Sequence, residues 1–123
     1  MPNRITIAAG SVTLEAELND SPTAHRIWEE LPITAQANTW GDEIYFRIPV
    51  QMEETPDARA DVEVGELGYW PGGEAFCIFF GPTPASSGDQ PRAASPVNPV
   101  GRLLDDATAL RGVPAGATVM IEK

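Results

Sequence analysis

Residues 62–84 read VEVGELGYWPGGEAFCIFFGPTP and decide the fold of this chain. Two apolar segments flank Pro71-Gly72-Gly73, a run of residues typical of a chain reversal between two strands. The second segment, residues 75–80, is apolar at every position. Its strand is therefore predicted to be covered on both faces. We expect a small antiparallel barrel with a further piece of chain lying over its outer surface.

On either side of this pair, alternating or continuous apolar residues predict the other strands. The strands are predicted over residues 4–8, 11–18, 43–48, 66–70, 74–80, 100–104 and 118–122, with a weaker edge strand over 33–39. Ser21 and Pro22 predict the start of a helix, with the serine as N-cap and the proline at the first helical position, and Pro32 ends it. Asp105 or Asp106 is expected to cap a short helical turn. Most of these elements follow one another as neighbours, which favours a closed antiparallel barrel of seven or eight strands with helical plugs.

Two segments are predicted to be loops. Residues 53–63 are acidic and read as an exposed loop leading into the next strand. Residues 81–99 contain five prolines among small polar residues. A loop of this length in a compact domain is usually functional or an ordered covering.

Length and charge limit the classes of function. At 123 residues, the chain is expected to form one domain, 1–123, that needs no metal or disulfide to fold. The net charge of −10 argues against nucleic acid and against an anionic membrane surface. Cys77 is the only cysteine, so neither an internal disulfide nor a thiolate metal cluster is expected. No signal-like segment or long apolar run is seen, so a cytoplasmic location is the default expectation. No cofactor is expected.

Several segments resemble the cyclophilins. GELGYWPGGEAFCIFFG (65–81) resembles the cyclophilin strand pair that ends in a Ser-Gln-Phe-Phe-Ile run, and YFRIP (45–49) resembles the Phe-His-Arg strand. Together with WGDEIYF (40–46) and SPVNPVGR (95–102), they make nearly the whole chain similar to the family of small bacterial and archaeal cyclophilin-like domains. The resemblance implies a mostly β protein: a closed antiparallel cyclophilin-like β-barrel of about eight strands, capped by one or two short helices.

The resemblance also implies a site. Cyclophilins bind proline in a groove on the outer barrel face, using an arginine, an aromatic shelf and a glutamine. Arg47 matches the catalytic arginine by motif, and the strand phase directs it away from the core. Cys77 stands where the aromatic shelf would be, the Gln-Gly-Gly run is absent, and no histidine follows the long loop. The candidate ligand-binding residues are Tyr45, Arg47, Gln51, Met52, Tyr69, Cys77 and Phe79.

Each candidate also has a structural interpretation. Arg47 would otherwise be a surface arginine paired with Glu43 or another acid. Cys77 is interpreted as a buried small apolar residue rather than a nucleophile, because nothing nearby in the sequence would lower its pKa. His25 and Glu29 are four residues apart, as in some metal sites, but are interpreted as a solvated helix face, and no metal site is expected. Tyr69 and Phe79, with Trp70, would either floor a groove or pack in the core.

Three functions remain open. The first is a binding module that holds a proline-containing peptide or a small ligand in the groove beside Arg47. The second is a weak peptidyl-prolyl isomerase, with Arg47 stabilising the twisted X-Pro amide. The third is a non-enzymatic interaction or structural subunit. The loss of most of the catalytic set favours the first.

Overall fold

A computed structural model describes residues 3–123; residues 1 and 2 of the predicted domain lie outside the described residues. The strands are β1 (Asn3–Ala9), β2 (Val12–Leu18), β3 (Ile33–Gln36), β4 (Asn38–Thr39), β5 (Glu43–Arg47), β6 (Arg59–Asp61), β7 (Glu66–Trp70), β8 (Ala75–Phe79), β9 (Arg92–Leu103) and β10 (Thr118–Glu122). The helices are α1 (Pro22–Glu30) and two 3₁₀ helices, Pro71–Gly73 and Ala107–Gly112.

All strand pairs are antiparallel, and the order is β3-β10-β1-β2-β9-β7-β8-β5-β4, with β6 paired to β9. The mostly β prediction is confirmed, with ten strands in place of seven or eight. Hydrogen bonds do not close the sheet, because no ladder joins its outermost strands, β3 and β4, within residues 3–123. Those two strands are consecutive in the chain, and only Ala37 separates them. The closed barrel therefore stays a prediction.

The helix α1 packs against the larger apolar cluster of the protein, which we call the inner core. As predicted, Ser21 is the N-cap, and its hydroxyl accepts a hydrogen bond from the Ala24 amide at 3.2 Å. Ile27 is fully buried on the inward face of the helix. Asp106 likewise caps the second 3₁₀ helix, where its carboxylate accepts from the Thr108 amide at 3.0 Å. No helix in residues 3–123 is long and apolar enough to cross a membrane.

Strand β8 is buried on both faces, as its sequence predicts, since all five of its residues are inaccessible to solvent. Phe76 and Ile78 point into the inner core, where the Phe76 ring stacks on Phe46 at 5.5 Å. Cys77 and Phe79 point outward into a second, smaller apolar cluster, which we call the outer cluster. The outer cluster is completed by Val62, Ala93 and Val97.

Two loop predictions are wrong in part. Residues 59–61 form β6 within the predicted loop 53–63, and β9 begins at Arg92 rather than at residue 100. Prolines normally argue against a strand, because they cannot donate to the ladder. In β9 the pairing with β7 shifts register beside Pro99, so the strand changes partner there: residues before Asn98 pair with β6, and later ones with β7 and β2.

A buried side-chain amide lies where β9 changes its pairing partner. Asn98 is 1% exposed, and its side-chain NH₂ donates to the Glu53 carbonyl at 2.9 Å and to the Thr23 hydroxyl at 3.2 Å. Its carbonyl accepts from the Thr55 amide at 2.9 Å. These hydrogen bonds connect the start of the acidic loop to β9 and α1. They also satisfy the buried amide, which requires hydrogen-bond partners.

We expect Phe76→Ala to reduce the free energy of unfolding by about 3–5 kcal/mol, because it leaves a cavity in the inner core. Urea denaturation measures the change. Val64→Ala is the control: Val64 is 43% exposed, and surface changes usually stay within about 0.5 kcal/mol. A loss below about 1 kcal/mol for Phe76→Ala would contradict the inward assignment.

Candidate functional site

The outer face of β5, β8 and β7 carries two parallel rows of side chains. The register places Tyr45, Cys77 and Gly68 in one row. The next row contains Arg47, Ala75 and Trp70. Because side chains alternate across a strand, both rows point away from the inner core. Tyr45, Arg47 and Cys77 thus share one surface, as the sequence predicts.

A cavity of about 190 Å³ opens beside the first row, and we call it the outer pocket. Its lining consists of Trp40, Glu43, Tyr45, Trp70, Cys77, Ala93, Ala94, Ser95 and Val97. The three aromatic side chains are half-buried. The rings of Tyr45 and Trp70 meet edge to face, with centroids 6.5 Å apart and planes at 80°. Two of the three aromatic rings in the pocket wall therefore lie nearly at right angles to each other.

The first 3₁₀ helix positions Trp70. The Trp70 ring lies against the backbone of this turn, so a Cβ on Gly73 would lie 2.6 Å from two of the ring carbons. A Cβ on Gly72 would lie 3.0 Å from the indole nitrogen. The Pro-Gly-Gly run thus both reverses the chain and leaves space for the indole.

Strand β9 forms the roof of the pocket. It comes close because β7 has no side chain at Gly68, where a Cβ would lie 2.7 Å from a Val97 methyl carbon. Val97 and Ala93 then pack on Phe79 and Cys77 in the outer cluster. The predicted covering of the outer face is supplied by Val62, which directly follows β6, and by the first half of β9.

Glu43 is the acidic group of the pocket. It begins β5 and is only 6% exposed. Burial raises the pKa of its carboxyl from 4.5 to about 7, while a hydrogen bond with the Cys77 side chain acts in the opposite direction. No Arg or Lys in the described part of the chain forms a salt bridge with it. The pocket thus holds a carboxyl without a basic partner.

The thiol of Cys77 forms part of the pocket wall but is not activated. Its side chain is buried, and burial raises the pKa of the thiol well above its ordinary value, with the Glu43 carboxyl adding to the effect. A thiol acts as a nucleophile through its thiolate. The interpretation of Cys77 as a buried small residue is consistent with this environment.

Arg47 lies at the end of β5 with its side chain 78% exposed. Its guanidinium donates to the Glu74 carboxylate at 2.5 Å, so its ion-pair partner is Glu74 rather than Glu43. Gln51 lines the shallow groove that contains this pair. Arg47 and Gln51 are therefore brought together at the surface, one row away from Tyr45.

The other three candidates lie elsewhere. Tyr69 is fully buried in the inner core, and its hydroxyl donates to the Val50 carbonyl at 2.5 Å. The Met52 amide donates to the same hydroxyl at 3.3 Å, and Met52 packs against the inner core. Phe79 is fully buried beneath β9 and does not line the outer pocket. None of these three side chains lines the outer pocket, because β7 directs Tyr69 inward, β9 covers Phe79 and Met52 packs against the inner core. Their role in ligand binding stays a prediction.

Other candidate sites offer less. In residues 3–123, no group of three His, Cys, Asp or Glu residues is placed to hold a metal ion, and His25 and the acidic loop belong to no such group. A larger, open cleft of about 520 Å³ is lined by both acidic and basic residues. Both of its arginines are engaged by acids of the same cleft, because Arg59 pairs with Glu66 and Arg102 pairs with Glu17.

Sequence reasoning missed Glu43 and Trp40 as pocket residues, and the β9 residues were predicted to lie in a loop. Glu43 carried a usable signal, since it is two residues before Tyr45 and faces the same side of β5. Trp40 lies in a turn, and Ala93 comes from a distant segment. Local periodicity does not bring such segments together.

Comparisons with known proteins support the family resemblance. The family model described as Cyclophilin-like matches residues 3–122. The chain is similar to the solution structure of the hypothetical protein AF2241 from Archaeoglobus fulgidus, with 40% sequence identity and a TM-score of 0.81. The match covers 98% of this chain and 94% of that chain. No curated protein matches the chain.

We expect Glu43→Gln to remove a pH-dependent loss of stability. Glu43 titrates near 4.5 when unfolded and near 7 when folded, so between these values the folded state binds more protons and stability falls as pH rises. The contribution is fully present below about pH 4.5 and is lost above about pH 7. The gain in unfolding free energy of Glu43→Gln over wild type should therefore grow from pH 4.5 to 7 and then level.

Urea denaturation at several pH values measures this difference. Glu54→Gln is the matched control, since it removes the same charge at an exposed position and should show no such trend. A difference between Glu43→Gln and wild type that is constant with pH would contradict the assignment.

We expect Gly73→Ala to displace the Trp70 indole and to cost about 1–3 kcal/mol of stability, because the added methyl overlaps the ring. Near-UV circular dichroism and tryptophan fluorescence report the displacement. Gly88→Ala is the control, as no atom lies within 4 Å of its added Cβ. Unchanged aromatic spectra in Gly73→Ala would show that the turn does not hold the indole.

Proposed function

Since this chain belongs to the cyclophilin-like family, we propose that it is a binding module whose outer pocket takes a proline-containing peptide or a small ligand. The observation that carries the proposal is the outer pocket itself, a cavity of about 190 Å³ with aromatic and small apolar walls and one carboxyl. Ligand sites in proteins are typically concave, mostly apolar and supplied with a few polar groups.

The position of Arg47 extends the site. It shares a row with Trp70 across Ala75, and neighbouring rows on one face of a strand are about 7 Å apart. A short peptide with an apolar ring in the outer pocket would therefore reach the Arg47 guanidinium. One nitrogen of that guanidinium, Nη2, is paired with the Glu74 carboxylate at 2.5 Å, which offsets the positive charge that a ligand carbonyl would meet there.

This ion pair favours binding over isomerisation. Catalysis of X-Pro rotation relies on the charge of the donor at the twisted amide, and the Glu74 carboxylate offsets the charge of Arg47. The aromatic shelf and the glutamine that the resemblance associates with catalysis are also replaced or shifted in this chain. Weak isomerase activity that depends on Arg47 is the second candidate.

The described surface does not favour an obligate subunit. Val64 and Leu104 are the exposed large apolar residues among residues 3–123. Obligate interfaces resemble a protein core cut in half and require a large apolar patch. The described surface therefore favours a binding module with a small pocket over an obligate subunit.

The test is a titration of isotope-labelled protein with a short N-acetylated Ala-Pro peptide amide, which carries no charge, followed by amide chemical shifts. We expect saturable shifts clustered on β5, β7 and β8 around Tyr45 and Trp70, and weaker binding by Trp70→Leu because an aromatic wall is lost. Trp28→Leu is the control, as Trp28 lies on α1 outside the pocket. Shifts that are absent, or scattered over the surface, would overturn peptide binding at this site.

A coupled prolyl-isomerase assay on X-Pro peptides separates the two candidates. We expect no turnover by wild type or by Arg47→Ala. Turnover lost in Arg47→Ala, but kept in Arg4→Ala, would instead identify an isomerase. Arg4 is a matched control because it is also an exposed arginine, 66% accessible, on another strand.

A further inference from the structure

The outer pocket combines aromatic walls with an acid that lacks a basic partner. Three aromatic rings line it, and two of them meet at 80°. The faces of aromatic rings carry negative potential and attract cations placed within about 6 Å. A small cavity lined by such rings can therefore attract a cation.

The acid of the pocket is Glu43. The remaining titratable groups of the lining are the Tyr45 hydroxyl, on the same strand, and the Cys77 thiol, on β8. The residues that β9 contributes to the lining, such as Ala93 and Ser95, carry no charge. No basic group therefore lines the outer pocket among the described residues. An uncompensated acid in an apolar site is costly to ionise, and an opposite charge within about 4–6 Å relieves that cost.

We propose that the outer pocket selects a small organic cation, an ammonium carrying methyl or methylene groups, which lies between the aromatic rings and pairs with Glu43. Its alkyl groups suit the apolar lining, and its charge suits the carboxyl. The net charge of −10 raises the local concentration of cations and speeds their association. This inference rests on the proposed function, in which the outer pocket is the binding site, and adds the charge class of the ligand.

The probe pair is choline and 3,3-dimethyl-1-butanol, which have the same shape but differ in one atom, a positively charged nitrogen in place of carbon. Tryptophan fluorescence and calorimetry measure each affinity for the full chain. We expect choline to bind at least about tenfold more tightly than the alcohol. Glu43→Gln should remove most of this preference, and Trp70→Leu should weaken choline binding.

Glu54→Gln controls for the change in net charge, since Glu54 is exposed and does not line the pocket; it should retain the preference for choline. Trp70→Phe keeps a ring and should bind choline better than Trp70→Leu does. We expect Glu43→Gln to stay folded, because it replaces a buried acid with a neutral isostere.

The outcomes distinguish this inference from the proposed function. Equal affinity for choline and the alcohol would overturn the cation preference and leave the outer pocket as a binding site for neutral ligands. Failure of both probes, with binding of the Ala-Pro peptide at the same residues, would do the same. Failure of all three probes would overturn both proposals.

Discussion

The burial of β8 on both faces is the constraint on which the rest of the structure depends. Every residue of this strand is inaccessible to solvent, so apolar cover is required both inside and outside the sheet. Inside, Phe76 stacks on Phe46 beneath the sheet and α1. Outside, Val62 and the first half of β9 supply the cover. The change of pairing partner along β9 follows from this requirement, because one strand serves both the main sheet and its outer cover.

The outer pocket lies at the edge of that cover. Gly68 lets Val97 approach the sheet closely, and the aromatic residues Tyr45 and Trp70 line the cavity beside this contact. Trp70 leans on the Pro-Gly-Gly turn, while Tyr45 meets its ring edge to face. Glycines thus permit the close contacts of Val97 and of the Trp70 ring, and aromatic residues line the outer pocket. Glu43 is enclosed in this cavity, where burial favours its neutral form.

The arrangement differs from the catalytic site implied by the cyclophilin motifs. Arg47 has the expected strand position but is engaged by Glu74. The position of the aromatic shelf is taken by Cys77, whose small side chain contributes to the depth of the pocket. The outer face therefore offers a cavity with an acidic group, and its arginine lies one row away from Tyr45 of that cavity. These features are the basis on which ligand binding is proposed ahead of isomerisation.

The sequence by itself determined the phases of β5, β8 and β10, the N-cap at Ser21, a cap at either Asp105 or Asp106, and the two-sided burial of β8. These features depend on residues within one or two turns or pleats of one another, so local periodicity contains them. It also placed Tyr45, Arg47 and Cys77 on one face. Only the tertiary structure decided that Glu74 pairs with Arg47, that the proline-rich segment becomes β9, and that Glu43 and Trp40 meet at a cavity. These outcomes join segments distant in sequence, and the pairing and packing that bring them together leave no periodic signal in the chain.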